Sequence, residues 1–291
     1  MEKPVPKIAE EQWSITMDAG SASIRKRAKE LWRYRDLLVL FVRRDFVATY
    51  KQTVLGPLWF FLQPVLTALT FTIVFGRIAN LSTGAYPRMI FYLSGIAGWA
   101  YFADCLTKTS ATFISNAHIF SKVYFPRLIV PLSVAISNVM RFLIQLLLLF
   151  GFIVYYNMNG FAIHPNVFLF LLPLLVVVMA GLGLGFGILI SSLTTKYRDF
   201  QFLVAFGVSL LMYLSPVIFP LSTVKPGLLR TIILCNPMSS VIETFRYALL
   251  GSENSFDLWM SLLYSTGFMI LLLLTSLSVF YRVQRSFMDT V

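Results

Sequence analysis

ATFISNAHIFSKVYFPRLIVP, residues 111–131, lies between two long apolar segments and decides how the chain around it is read. It mixes Ser115, Asn116, His118 and Lys122 with an aromatic-proline-arginine step at Tyr124, Phe125, Pro126 and Arg127, so it is neither a membrane span nor a featureless loop. The pattern predicts a short helix lying at a membrane surface. Proline lacks a backbone N–H and biases the preceding residue away from helical geometry, which sets a break at Phe125 and a new helix from Pro126. Across the mouth of a transmembrane bundle such a helix can pass force to the bundle; an ordinary interfacial linker is the other reading.

The composition agrees with spans on either side. Of 291 residues, 57% are hydrophobic and 13% charged, with a mean hydropathy of +0.76, against roughly 45–50% apolar and 25% charged in soluble domains. The expected class is an all-α, multi-pass membrane protein. A net charge of +11 would suggest nucleic acid in a soluble chain. Here the basic residues flank apolar runs, where they orient the spans and meet anionic headgroups, so membrane lipids and not nucleic acid are the expected partner. Cys105 and Cys235 have no metal spacing and fall at different depths, so neither a metal site nor a disulfide is expected. The first 57 residues are charged and polar, without the apolar core of a cleavable signal peptide.

Residues 1–23 read as a cytoplasmic tail. From Ile24, apolar residues recur at helical spacing (Ile24, Ala28, Leu31, Leu38, Phe41, Val42) opposite Lys26, Lys29, Arg33 and Arg43. This predicts an amphipathic helix in the plane of the inner leaflet, within a unit covering 24–57, serving as a plain anchor or as part of a docking surface. Gly56 and Pro57 then turn the chain into the bilayer. Residues 58–291 form the expected transmembrane domain of six spans, at about 58–78, 88–109, 128–156, 167–193, 200–219 and 257–281, each near or above the roughly 20 residues a crossing helix needs.

Most of the 24 basic residues fall on one side: those ahead of the first span, then Lys108, Lys122, Arg127, Lys196, Arg198, Arg282 and Arg285. Arg77, Arg88, Lys225, Arg230 and Arg246 fall on the other, and Arg141 lies inside a span. The bias places both termini in the cytoplasm. Residues 221–251 are too apolar for a plain loop and too interrupted for a span, being punctuated by Pro226, Gly227 and Pro237 after Pro216 and Pro220. They read as a re-entrant pair of short external helices or a seventh crossing. The charge bias favours the pair, with Glu243 and Arg246 three apart on one helix.

Catalytic groupings are scarce. His118 and His164 have no nucleophile or paired carboxylate at a recognisable spacing. The run GLGLGFG at 181–187 lies inside an apolar span with no strand before it, and reads as close helix packing through Gly183 and Gly187. No G-x-x-x-x-G-K-[ST] run occurs, so ATP-driven work would need another chain. Charges inside spans are costly unless solvated or paired. Arg141, near Asn138 and Gln145 on one helical face, and Asp104 are the clearest cases; both would line a hydrated path, or else Arg141 pairs internally or sits at an intersubunit contact. Aromatic residues make up 15% of the chain and cluster in the first, second and fifth spans, where they serve as interfacial belts or as flat faces for sugar rings.

ELWRYRDLLVLFVRRDF (30–46), YKQTVLGPLW (50–59) followed by Gln63 and Pro64, ISNAHIFSKVYFPRLIVPL (114–132), KYRDF (196–200), SPVIFP (215–220) and NPMSSVIETFRYALLG (236–251) resemble, in order, the permease subunits of ABC-2-type polysaccharide exporters of O-antigen, teichoic acid or capsule type. The resemblance implies a non-enzymatic, homodimeric permease of the bacterial inner membrane. It implies two separate ATP-binding-cassette subunits that hold ATP and Mg, no cofactor on this chain, and an undecaprenyl-linked polysaccharide as substrate. It maps ATPase coupling onto Ser115, Asn116, His118 and Lys122. It maps a substrate channel onto Trp59, Phe60, Tyr92, Trp99, Tyr101, Phe102, Arg141 and Tyr213, and an external gate onto Pro216, Pro220, Pro237, Glu243 and Arg246. Arg33, Arg43, Arg44 and Lys51 are expected where the lipid headgroup enters. Arg141 departs from the family pattern, which carries an acid there in many members. An exporter of a small lipid or drug, or a membrane-embedded glycosyl- or acyltransferase, is the alternative.

Overall fold

The computed structural model describes residues 24–51, 54–84, 86–120, 122–123, 125–194, 199–251 and 257–288, and all regular structure among them is helical. The expected tail at 1–23 and the residues Tyr124, Lys196 and Arg198 lie outside them. In chain order the helices are α1 (Ile24–Arg33), α2 (Arg35–Tyr50), α3 (Trp59–Phe71), α4 (Arg88–Ser110), α5 (Thr112–Ser115), α6 (Ala117–Phe120), α7 (Ile129–Met158), α8 (Leu172–Thr194), α9 (Phe200–Tyr213), α10 (Leu228–Cys235), α11 (Pro237–Leu250) and α12 (Leu258–Met288). Five helical stretches are long and apolar enough to cross a membrane: Gly56–Ile78, Arg88–Ser110, Ile129–Met158, Val167–Thr194 and Leu258–Arg282.

The remaining expected span is shorter than its apolar run. α9 has 14 residues, about 21 Å at 1.5 Å per residue. Pro216 biases Ser215 out of helical geometry, and after Leu214 the chain turns, with the Val217 N–H bonded to the Ser215 carbonyl at 2.7 Å. The apolar residues up to Phe219 therefore belong to a buried turn.

The amphipathic stretch is two helices, broken at Tyr34 and running on to Tyr50. The break lets Leu31, Tyr34, Leu37 and Leu38 gather round a small core of Phe41, Phe125, Ile129 and Val130, which fixes α2 along the start of α7. Phe41 and Phe125 meet edge to face at 5.7 Å, while Trp32, Val39 and Leu40 are exposed. The surface helix is likewise divided, into the single turns α5 and α6. Asn116 stands between them at φ −114°. Its side-chain N–H donates to the Thr112 carbonyl at 3.0 Å, the local competition with helix bonds for which this residue type is known.

α4 lies at the centre, packed by α3, α7, α8 and α11. The glycine run explains the closest of these contacts. A methyl added at Gly183 would stand 2.9 Å from the Phe102 carbonyl, and one at Gly187 2.9 Å from that of Leu106, both on α4. Gly181 and Gly185 lie instead against Met269 and Leu272 of α12. Two interleaved pairs at i, i+4 thus bring two different helices onto α8.

Beyond Phe71, the helix of α3 widens into a π-helix over Thr72–Ile78. The Ala79 N–H reaches the Val74 carbonyl at 2.9 Å. Gly76 faces the Arg88 side chain there, with no room for a methyl group.

Candidate functional site

A cleft of about 470 Å³ opens at the end of the bundle that carries α5, between α2, α3, α4 and α7. Its α7 wall is one helical face, Val134, Ser137, Asn138 and Arg141, spaced i, i+3, i+4 and i+7. From α4 comes Lys108, whose Nζ donates to the Asn138 Oδ1 at 2.7 Å; Asp104 of the same helix, outside the lining, accepts from the Arg141 Nη1 at 2.7 Å. The other arm of Arg141 donates to the Gln63 Oε1 at 2.8 Å, and its guanidinium carbon lies 5.7 Å from the Phe60 ring centre. One guanidinium thus joins α3, α4 and α7. Its planar fork makes this possible, since a lysine offers no such paired geometry. Arg44 closes the cleft from α2, held at 2.8 Å by Asp45 and lying over Phe41 at 4.6 Å.

This cleft unites residues that the sequence reading placed in three different groups. Ser115 and Asn116 of the expected coupling stretch line it, as do Phe60 and Arg141 of the expected channel and Arg44 of the expected headgroup set. His118 and Lys122 are exposed and do not line it; Arg33, Arg43 and Lys51 are exposed on or beside α1 and α2.

The remaining channel residues divide by exposure. Trp59 and Tyr213 are 46% and 51% exposed. Tyr92, Trp99, Tyr101 and Phe102 are buried inside the single chain, because α4 is its central helix. Tyr101 packs on Phe142 at 5.3 Å and donates its O–H to the Ala135 carbonyl; Trp99 packs on Phe102 at 5.2 Å. In the single chain these four rings are core, and none of them lines the cleft.

The expected gate residues meet at the far end of α4. Arg246, 1% exposed, donates to Glu243 at 3.0 Å and to the Pro216 carbonyl at 2.8 Å, and lies 3.8 Å from the Phe91 ring centre. Glu243 accepts the Leu221 N–H, which follows Pro220. Pro237 opens α11 behind Asn236, whose side chain caps the helix through the Met238 N–H and donates to the Ser215 hydroxyl. A cation this buried requires each of those partners.

Arg141 and Asp104 both stand out in the sequence, but nothing there joins one to the other, and Lys108 bears in sequence only on orientation. The available signal was the i, i+4 spacing of Asp104 and Lys108 on one helix and the i, i+3 spacing of Asn138 and Arg141 on another. Joining the two needed the register of α4 against α7.

Residues 36–250, more than half of the chain, match the ABC-2 type transporter family of membrane proteins. Among relatives, the O-antigen export system permease protein RfbA of Klebsiella pneumoniae is 29% identical over 255 residues, covering 87% of this chain and 94% of its own length. A second protein of that name from the same organism is 28% identical over the same shares. One from Myxococcus xanthus is 27% identical over 219 residues, covering 75% and 82%. With five helices fit to cross a bilayer and a family match running from α2 to the end of α11, this chain belongs to the ABC-2 type transporter family.

Proposed function

We propose that this chain is the transmembrane subunit of an ATP-driven exporter that moves an undecaprenyl-linked polysaccharide of O-antigen type across the bacterial inner membrane. The observation that carries the reading is its likeness to O-antigen export permeases over nearly their whole length. Two copies form the conduit, and two ATP-binding-cassette subunits supply hydrolysis, holding the ATP and Mg that this chain does not bind. Both termini face the cytoplasm, and α9 completes a sixth crossing. α1 and α2 form the interface unit ahead of the transmembrane domain, with Arg33, Arg43, Arg44 and Lys51 toward the headgroups. α10 and α11 form the external gate pair. The exposed rings Trp59 and Tyr213 line the passage, giving flat faces to sugar rings without many directional bonds.

In the mechanism, closure of the ATPase pair pushes on α5 and α6. These turns continue directly from α4 and adjoin the cleft, so the push reaches the junction held by Arg141, and the bundle rocks to open its two ends in turn. The test is Asn116→Glu with His118→Glu. The pair should abolish recovery of the ATPase subunit with the tagged permease and stop glycan reaching the cell surface, while the permease is still made and membrane-inserted. Unchanged recovery of the complex would remove α5 and α6 from the coupling role, and glycan export by cells lacking the ATPase would remove the exporter reading itself.

A further inference from the structure

α9 is held very differently along its length. Val204 is its one buried residue among those described, and Phe202, Leu203 and Phe206 are exposed. Just past the helix, Ser215, Pro216, Val217 and Ile218 are all buried. The turn they form is gripped by side chains of α11 and its cap. Asn236 donates to the Ser215 hydroxyl at 2.8 Å, and that hydroxyl donates onward to the Leu211 carbonyl at 2.7 Å, so the grip reaches the last turn of α9 itself. One nitrogen of Arg246 donates to the Pro216 carbonyl at 2.8 Å and to that of Val217 at 3.4 Å, and Glu243 accepts the Leu221 N–H at 3.2 Å. A guanidinium this buried holds its partners firmly, because parting from them leaves a charge uncompensated in apolar surroundings.

The body to which this turn is fixed is itself well packed. Gly95 of α4 leaves the room for it: a methyl there would stand 2.9 Å from an Arg246 nitrogen and 3.0 Å from the Val217 carbonyl oxygen. α11 is buried apart from Glu243 and Tyr247, and its Pro237 carbonyl accepts from Ser265 of α12 at 2.8 Å. The opposite end of α9 stands at the α5 end of the bundle. Thr194, which ends α8, donates to the Ser110 carbonyl at 3.2 Å, at the junction of α4 and α5, and α9 begins at Phe200 soon after. A helix clamped at one end and thinly packed along its body turns about the clamp when it is pushed at the other, since element ends absorb hinge motion and sparsely packed segments move first.

We propose that α9 is a lever pivoting on the turn at 215–218, with Arg246 and Asn236 as the positioning residues that hold its fulcrum. Both act through that turn and touch no substrate. Movement of α9 opens the passage at the end that carries α5, while the clamp keeps the far end in place. In taking its drive from ATP-binding-cassette subunits, the inference rests on the exporter reading. Phe202 lies about 18 Å from Leu214 at 1.5 Å per residue. A tilt of about 10° therefore carries it about 3 Å, and about 6 Å relative to its counterpart in a second copy tilting the opposite way.

The experiment uses the full chain with its ATPase subunits in nanodiscs, with Cys105 and Cys235 replaced by alanine and one spin label per chain. Distances between the two copies are read without nucleotide and after trapping with ADP and vanadate. Labels at Phe202 should change their separation by about 6 Å and labels at Leu214 by under about 2 Å. Labels at Leu263 and Leu274, both exposed on α12, report rocking of the copies as whole bodies and should change alike. Arg246→Lys, which keeps the charge and loses the fork, should let the Leu214 labels move at least half as far as those at Phe202. Asn236→Ser keeps a residue able to cap α11 but is too short to reach Ser215, and it should shift the pattern the same way even if Arg246→Lys fails to assemble. Gly207→Ala, which stiffens the middle of α9, should leave the pattern of the parent intact. Equal changes at Phe202 and Leu214, no change at Phe202, or the same unevenness along α12 overturns the lever. Loss of the Phe202 movement in Gly207→Ala overturns it too, placing the bend inside the helix, and an unaltered pattern in the clamp variants removes Arg246 and Asn236 from the positioning role. Glycan export in cells reads the exporter function separately. Uneven movement of α9 in a chain that exports no glycan keeps the lever and ends that reading, whereas normal export with even movement does the reverse.

Discussion

Arg141 is a cation inside a span, held by one carboxylate, one amide oxygen and the neighbourhood of a ring. Charge-assisted hydrogen bonds of this kind contribute about 1.5–3 kcal/mol each, and the lower end applies because the Arg141 and Asp104 side chains are 21% and 29% exposed. Either Arg141→Gln or Asp104→Asn should therefore lower the thermal midpoint of the purified permease, each costing about 1–2 kcal/mol. The double substitution should cost clearly less than the two singles added, since no charge is then left unpaired. Additive losses in that cycle would show the pair to be energetically idle. The importance of Arg141 was legible in the sequence because a lone charge among apolar residues is conspicuous. Its partner was not, since Asp104 is 37 residues away and only the packing of α4 on α7 brings the two together. Glu243 and Arg246 were easier, because their three-residue spacing is itself the contact on a helix.

At the scale of elements, the glycines make the sharpest claim. Gly187 faces the Thr109 side chain and the Leu106 carbonyl, and backbone does not yield cheaply. Gly187→Ala should cost about 1–3 kcal/mol by forcing α8 away from α4, and Gly183→Ala should do the same. Gly207 on α9 has nothing near the position of an added methyl, so Gly207→Ala should be neutral or raise stability by up to about 1 kcal/mol through helix propensity. Melting curves of the variants in one detergent decide this, and a Gly187→Ala protein as stable as the parent would refute the packing argument. The seam could be read in advance from GLGLGFG, and so could the spans of α4, α7 and α8, whose ends fell within a few residues of the apolar runs. Hydropathy could not foresee the end of α9 at Tyr213, because Ser215 to Ile218 are buried by protein contacts and look in sequence like more span. Nor could it foresee the division of the surface helix, which depends on the Asn116 side chain turning back on Thr112.

At the scale of the molecule, α9 is nearly bare: Val204 is its one buried residue among those described. α3 is also little covered by its own chain, with 22% of its apolar window buried against 78% for α4. In the proposed dimer these thinly covered helices face the conduit and the second copy. A single cysteine at Leu210, in a chain with Cys105 and Cys235 replaced by alanine, should form a disulfide-linked dimer in membranes under mild oxidation; the same cysteine at Leu274, exposed on α12, should not. Equal cross-linking at both positions would count against α9 as the meeting face. The wide turn at Thr72–Ile78 bears on the molecule differently. It winds about one residue more than an α-helix of equal length would hold, and this surplus is slack at the far end of α3. Removing one residue inside 72–78 lets the backbone rewind to 3.6 per turn with Gln63 still opposite Arg141, whereas the same excision between Gln63 and Phe71 swings that amide about 100° out of register. Length variation in this helix is thus tolerable at one address, and the three-way junction is shielded from it.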